Sequence, residues 1–135
     1  MATLETDGIK KLVDELKSAG DDAEELAGEM LEAGAEATVR EWKEGIETAG
    51  HVDTGAMRDA VKATGRKSKL ERVIYPTGKD EKGVRNAEKA FVLHYGTSGK
   101  LGDRFVDKIE EEAAVTSQLA MQKVLDDYLR SKGLI

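Results

Sequence analysis

The stretch "HVDTGAMRDAV", residues 51–61, comes closest in residue type and spacing to a known chemistry. Asp53, Thr54, Gly55 and the alanine after them read like the catalytic turn of a retroviral-type aspartic protease, in which two aspartates share a proton. The chain has no second Asp-Thr-Gly or Asp-Ser-Gly, and a largely helical chain cannot build an all-β protease. We therefore predict a structural corner. Thr54 caps a short helix by accepting a hydrogen bond from the Met57 amide, and Gly55 lets the backbone turn sharply.

A second candidate is "HYGTSGKLGD", residues 94–103, which has glycines and a lysine spaced somewhat like a phosphate-binding loop. That loop reads G-x-x-x-x-G-K-[ST] between a strand and a helix. Gly99 and Lys100 match it, but His94 stands in place of the first glycine and Leu101 in place of the magnesium-binding hydroxyl. The stretch is therefore predicted to be a glycine-rich turn between a strand and the last helix.

Metal and nucleophile chemistry have little support in the remaining residues. His51 and His94 are the only histidines, and the chain has no cysteine, which excludes a disulfide framework and a thiolate zinc site. No serine stands in a nucleophile elbow. We expect no catalysis, no cofactor and no metal.

Hydrophobic periodicity predicts one domain spanning residues 1–135 with three helices, at about 8–19, 22–49 and 103–132. Residues 1–20 could form a separable N-terminal helix. Asp21 and Asp103 are the expected caps of the second and third helices. Gly34 falls on the apolar stripe of the second helix, where we expect it to allow close packing.

Between the second and third helices the period shortens to two, which is typical of strands. "LERVIYP" and "EKAFVLHYG" are the main strand candidates, "AVKATGR" is a weaker one, and no strand is expected before Gly50. The fold class predicted is α+β, with long helices packed on a small antiparallel sheet that includes residues 91–95, in helix-helix-sheet-helix order. The polar, glycine-containing segments 77–85 and 98–102 are expected to be mobile.

The charge along the chain is unevenly distributed. Residues 1–57 carry a net charge of −10, residues 58–108 carry +6, and residues 109–135 carry −2. A basic middle segment favours an acidic partner, either DNA or the acidic helices of another copy. The chain shows no signal peptide and no apolar run long enough to span a bilayer, so we expect a soluble protein of the cytoplasm.

In their order along the chain, these motifs resemble the small tail-component family of long-tailed bacteriophages. The order is an acidic amphipathic helix, the Asp-Thr-Gly stretch, a basic β region, "AFVLHYGTSG", and "RFVDKIEEEA" opening a last helix. The matching positions are Val52, Asp53, Thr54, Gly55, Met57 and Arg58, then Ala90, Phe91, Val92, Tyr95, Gly96 and Thr97, and finally Phe105.

Members of that family are described as tail-completion or head–tail joining proteins. The resemblance implies a non-enzymatic phage or prophage morphogenesis protein, made in the host cytoplasm and then held at the neck or tail of the virion. It implies binding to the connector or tail tube in several copies, arranged as a ring around the tail axis, with no membrane and with DNA only passing through the neck. The two motifs would then be fold corners, and the basic residues Arg66, Lys67, Lys69 and Arg72 are candidate assembly contacts. The alternative is a small nucleic-acid-binding module that uses the basic middle segment.

Overall fold

The computed structural model describes residues 2–4, 23–65, 70–133 and 135. The elements in chain order are β1 (Ala2–Leu4), α1 (Ala23–Thr48), α2 (Ala56–Asp59), β2 (Val61–Thr64), β3 (Arg72–Pro76), α3 (Asn86–Tyr95), β4 (Gly96–Thr97), β5 (Lys100–Leu101) and α4 (Phe105–Ser131). Helix α1 packs on the small antiparallel sheet and α4 packs along α1, and this combination of helices with an antiparallel sheet confirms the predicted α+β class. The predicted helix at 8–19 and the proposed cap Asp21 lie outside the described residues.

The two long helices, α1 and α4, pack along each other and enclose most of the core. Their bounds lie within two residues of those predicted, because each carries an apolar stripe with a period near 3.6. Trp42 and Ile46 of α1 are fully buried, and Ile109 of α4 lies in the same cluster. The aliphatic and alanine side chains on these stripes therefore form the core, with few aromatic residues.

The sheet has three antiparallel strands in the order β1-β3-β2. In the central strand, Ile74 pairs with Ala63 of β2 and with Ala2 of β1, and its side chain is completely buried. Strands β2 and β3 confirm the two predictions made from "AVKATGR" and "LERVIYP". The expectation of no strand before Gly50 was wrong, because β1 (Ala2–Leu4) pairs with the edge of β3 that lies opposite β2.

The predicted strand at 91–95 was also wrong, because these residues belong to helix α3. Asn86, Ala90 and His94, at helical spacing, form its buried face, whereas Phe91 and Tyr95 lie together on its exposed face. The alternating pattern gave a wrong prediction because Phe91 and Tyr95, as aromatic residues, were expected to be buried. Here a small residue and two polar ones fill the interior, and the aromatic rings face outwards.

Candidate functional site

The first motif, residues 52–58, forms a tight turn between α1 and the short helix α2. Gly55 has a left-handed backbone with φ of 86°, a conformation that glycine adopts without steric cost, and it stands just before α2. The Thr54 hydroxyl accepts a hydrogen bond from the Ala56 amide at 3.3 Å, not from the Met57 amide as predicted. Met57 is buried and Asp53 is exposed. The turn therefore lies at the surface, and Met57 anchors it to the core.

Arg58, the last residue of this motif, ties the corner to the end of α1. Its guanidinium donates to Glu47 at 3.0 Å and to Asp59 at 2.9 Å. The hydrogen bond to Asp59 is the largest cause of the raised pKa of Arg58, and the same bond lowers the pKa of Asp59. Both groups stay charged at neutral pH, and the bond between Arg58 and Glu47 links α2 to the end of α1.

The second motif, residues 90–97, includes the C-terminal half of α3 and the first strand of a small hairpin. Gly96 has φ of 85°, and β4 and β5 pair through Gly96 with Leu101 and Thr97 with Lys100. The chain then returns to the end of α3, where the amides of Asp103 and Arg104 donate to the carbonyls of Leu93 and His94. The glycine-rich stretch thus links two helices through a hairpin, and not a strand to a helix as predicted.

His94 is buried beneath this hairpin at the start of α4. Its Nδ1 accepts a hydrogen bond from the Val106 amide at 3.2 Å, one of the first-turn amides that lack a partner within the helix. Its ring also makes edge contacts with the rings of Tyr95 and Phe105. Accepting at Nδ1 requires the proton of the neutral ring to be on Nε2, which lies 3.7 Å from the Asp107 carboxylate. His94 is therefore a buried cap of α4.

Asp103 and His51 connect the two motifs across the fold. One oxygen of Asp103 accepts a bond from the Phe105 amide at 3.1 Å, although the residue at the N-cap position of α4 is Arg104 and not Asp103 as predicted. The other oxygen lies 2.6 Å from Nε2 of His51, which directly precedes the Asp-Thr-Gly stretch. The His51 ring packs edge-on against Phe105. Residues far apart in sequence thus meet at one junction, which positions both motif turns relative to α4.

An exposed aromatic surface covers the outer side of α3. Phe91 is 62% exposed and Tyr95 is 57% exposed, and their rings lie 4.7 Å apart. The Arg104 guanidinium lies over the Tyr95 ring, 5.6 Å from its centroid. Leu101 at the hairpin is 94% exposed. Large apolar side chains grouped at a surface mark contact sites more often than scattered ones do.

A cavity of about 440 Å³ lies beside this surface, between α3 and α4, and its walls include Phe91, His94 and Val106. The fully buried Trp42 forms part of its lining, and the indole N–H finds no hydrogen-bond acceptor among the described residues. Trp42 is thus a core residue, as its position on the helical stripe predicted, with an unsatisfied donor.

A larger groove of about 720 Å³, which we call the motif groove, runs between the first motif and α3. Its walls include Val52, Asp53 and Thr54 on one side and Val84, Glu88 and Val92 on the other.

The end of the motif groove is shaped by Asp80 in the segment 77–85. The Asp80 carboxylate accepts bonds from the amides of Lys82 and Val84, both at 2.9 Å, and pairs with the Lys89 ammonium group. The Lys89 contact is the largest cause of the lowered pKa of Asp80. Mobility of 77–85 and 98–102 stays a prediction, and for 77–85 these contacts imply that amide relaxation will find the least motion around Asp80.

The family-motif residues fall into two groups in the structure. Asp53, Thr54 and Gly55 lie in the wall of the motif groove, whereas Tyr95, Gly96, Thr97 and Phe105 cluster around the hairpin and the start of α4. Sequence reasoning missed the roles of His51, His94 and Asp80. No local signal could have found the contact between His51 and Asp103, because their proximity depends on how the helices pack.

Of the four basic residues proposed as assembly contacts, the structure describes only Arg72. Arg66, Lys67 and Lys69 lie outside the described residues. Arg72 is bound within the chain: its Nε donates to Glu32 of α1 at 2.7 Å, and its side chain is only 12% exposed. This internal pairing argues against Arg72 as an assembly contact.

In the first motif, we expect a substitution that strains the backbone to lower the free energy of unfolding more than one that only removes a hydrogen bond. Gly55→Val places a branched side chain at positive φ, with its Cβ about 3.0 Å from Nη2 of Arg58, and should cost about 1–3 kcal/mol. Thr54→Ala removes one exposed hydrogen bond and should cost about 0.5–1 kcal/mol. Urea unfolding of both variants measures the difference.

Asp53→Asn is the matched control for these variants, and it should leave the free energy of unfolding unchanged. Equal stability of the Gly55→Val variant and the parent would contradict the corner interpretation. Peptide cleavage by the parent that Asp53→Asn abolishes would support the protease instead.

The His51–Asp103 contact thus brings two surface turns together at the start of α4, with an exposed aromatic surface beside them. Within residues 2–4, 23–65, 70–133 and 135, no group of three or more histidine, aspartate or glutamate side chains could hold a metal ion. None of the helices in those ranges is long and apolar enough to cross a membrane.

The model of the family described as "Bacteriophage HK97-gp10, putative tail-component" matches residues 10–96, well over half of the 135 residues. The chain belongs to this family of phage tail components. No curated protein and no solved structure matches it. The matched part includes the first motif and helix α3 and ends at Gly96, so Thr97 and Phe105 lie beyond it. Membership indicates a structural role alongside other phage proteins, with the virion tail as the location, and suggests a protein that is not an enzyme.

Proposed function

We propose that the protein is a tail-completion or head–tail joining component that assembles in several copies at the neck or tail end. Family membership supports the tail, and the exposed Phe91–Tyr95 pair is the observation that supports a joining role. Aromatic residues are enriched at protein interfaces, where they contribute large contact area at little cost in side-chain entropy. A chain that keeps two neighbouring aromatic rings in solvent has a surface suited to another protein.

The charges of the middle segment favour protein contacts over DNA. In the part of the chain that the structure describes, many of its cations already face carboxylates: Arg58 with Glu47 and Asp59, Arg72 with Glu32, Arg85 with Glu88, Lys89 with Asp80, and Arg104 with Asp107. DNA binding draws its affinity from cations that are free to neutralise phosphates. Among the described residues, these ion pairs therefore favour a protein-binding role over the nucleic-acid module. Arg66, Lys67 and Lys69 remain proposed contacts between copies.

The test is electron microscopy of particles assembled without this protein and with a Phe91→Asp variant. Heads and tails should remain separate in both cases. The substitution removes the aromatic anchor from the centre of the contact and places a carboxylate there. The matched control is Val115→Asp on α4, a similarly exposed apolar residue away from α3.

The Val115→Asp control should give joined particles at the parental frequency. Both variants should unfold within about 0.5 kcal/mol of the parent, since both positions are exposed. Normal joining with Phe91→Asp would contradict the aromatic contact. Normal joining in the complete absence of the protein would contradict the joining function itself.

A further inference from the structure

The motif groove has the lining of a binding site for a short apolar segment that carries positive charge. Val52, Val84 and Val92 are exposed apolar residues on its two sides. Four carboxylates and two lysines also line it: Asp53, Asp80, Glu81 and Glu88, with Lys82 and Lys89. Among the described residues, Asp53 and Glu81 make no ion pair, so two carboxylates stand free beside the apolar lining.

The hairpin formed by β4 and β5 has the complementary features. Leu101 is 94% exposed, so its side chain packs against almost nothing in its own chain. Lys100 beside it is also exposed and makes no ion pair within the described residues. Within the described residues, the hairpin forms a two-stranded sheet of its own, separate from the main sheet. It is therefore a small projection that carries one leucine and one ammonium group.

We propose that the motif groove receives the Lys100–Leu101 hairpin of a second copy of this chain. Leu101 packs against the valines of the groove, and the Lys100 ammonium group pairs with Asp53 or Glu81. A groove of about 720 Å³ is in the size range of sites that enclose several groups, so it accepts the tip of a hairpin and not merely one side chain. The two family motifs then have a joint role: the first supplies the groove and the second supplies the projection.

This contact determines how the copies are arranged. Groove and hairpin are different surfaces, so a head-to-tail contact between two copies leaves one free groove and one free hairpin, each ready for a further copy. Such heterologous contacts close into a ring when the rotation allows it and otherwise continue as a filament. The inference rests on the self-association in the proposed function, and it names the surfaces that would form it.

The absence of cysteine allows a direct cross-linking test. A Leu101→Cys chain is mixed with a Val92→Cys chain at high protein concentration and low salt, and disulfides are formed with a mild oxidant. The matched control is Leu101→Cys mixed with Val115→Cys, whose exposed cysteine lies on α4 away from the groove. We expect the groove pair to form mixed dimers at least about tenfold faster, since docking raises the effective concentration of the two thiols.

A single chain carrying both Val92→Cys and Leu101→Cys should give a ladder of species larger than dimers. Lys100→Glu should lower the cross-linking rate to that of the control pair, and adding Asp53→Lys and Glu81→Lys to the groove chain should restore it. Equal rates for the groove and control pairs would overturn the proposal and favour a different phage protein as the occupant. A double-cysteine chain that stops at dimers would overturn the head-to-tail arrangement.

The particle experiment separates failure of this contact from failure of the function. If heads and tails stay apart without the protein but the groove pair does not cross-link, the joining role stands and the contact is wrong. If the groove pair cross-links but particles form normally without the protein, the contact stands and the joining role is wrong.

Discussion

Gly45→Ala should destabilise the protein, although the same substitution at Gly28 should stabilise it. Both glycines lie inside helix α1, where alanine is favoured over glycine by about 1 kcal/mol. At Gly28 an added Cβ meets nothing within 4 Å. At Gly45 it would lie 2.2 Å from Cγ1 of Ile109, where α1 crosses α4. Ile109 is buried and has little room to move, so we expect the overpacking cost of about 1–3 kcal/mol to exceed the helix gain.

A double-mutant cycle with Ile109→Ala isolates this contact. Ile109→Ala alone should cost about 2–5 kcal/mol through the cavity that it leaves. In that background Gly45→Ala should become stabilising, by about the same 1 kcal/mol as Gly28→Ala, because the Cβ now has room. Free energies of unfolding from urea titration give all the values. Equal effects of Gly45→Ala in the two backgrounds would show that the helices do not touch at this point.

The sequence predicted the elements whose signal is local and repetitive. The apolar stripes of α1 and α4 extend over about seven turns each, so a few residues that break the period do not obscure it. Sequence reasoning expected close packing at Gly34, which lies on the stripe and is buried, and it missed Gly45, where α1 approaches Ile109 of α4 closely. The crossing point of two helices depends on their relative rotation and shift, which neither helix encodes alone.

Helix α3 shows the opposite case, in which a local signal was present but misread. Its ten residues suit a strand by alternation and a helix by the spacing of Asn86, Ala90 and His94. The helical spacing is hard to recognise as a buried face because two of the three residues are polar. Asn86 can be buried because its amide donates to the Thr77 carbonyl at 2.7 Å and its backbone N–H donates to Gly78. Buried polar residues with partners elsewhere in the chain cannot be recognised before those partners are positioned.

His94 should be the polar side chain on which stability depends most. His94→Phe keeps a ring of similar size against Tyr95 and Phe105 but leaves the buried Val106 amide without an acceptor, which should cost about 1–3 kcal/mol. His94→Ala also removes the ring and leaves a cavity, so its cost should rise to about 3–5 kcal/mol.

Asp103→Ala is the matched control for the His94 variants, because it removes the other side-chain acceptor at the start of α4 from a more exposed site. It should cost only about 1 kcal/mol. Urea unfolding should therefore rank the losses as His94→Ala, then His94→Phe, then Asp103→Ala. If His94→Phe were as stable as the parent, the hydrogen bond to Val106 would not hold the helix, and His94 would act through its ring contacts alone. If Asp103→Ala were the most damaging, the start of α4 would depend more on the His51–Asp103 pair than on the buried His94 cap, and the expected ranking would be wrong.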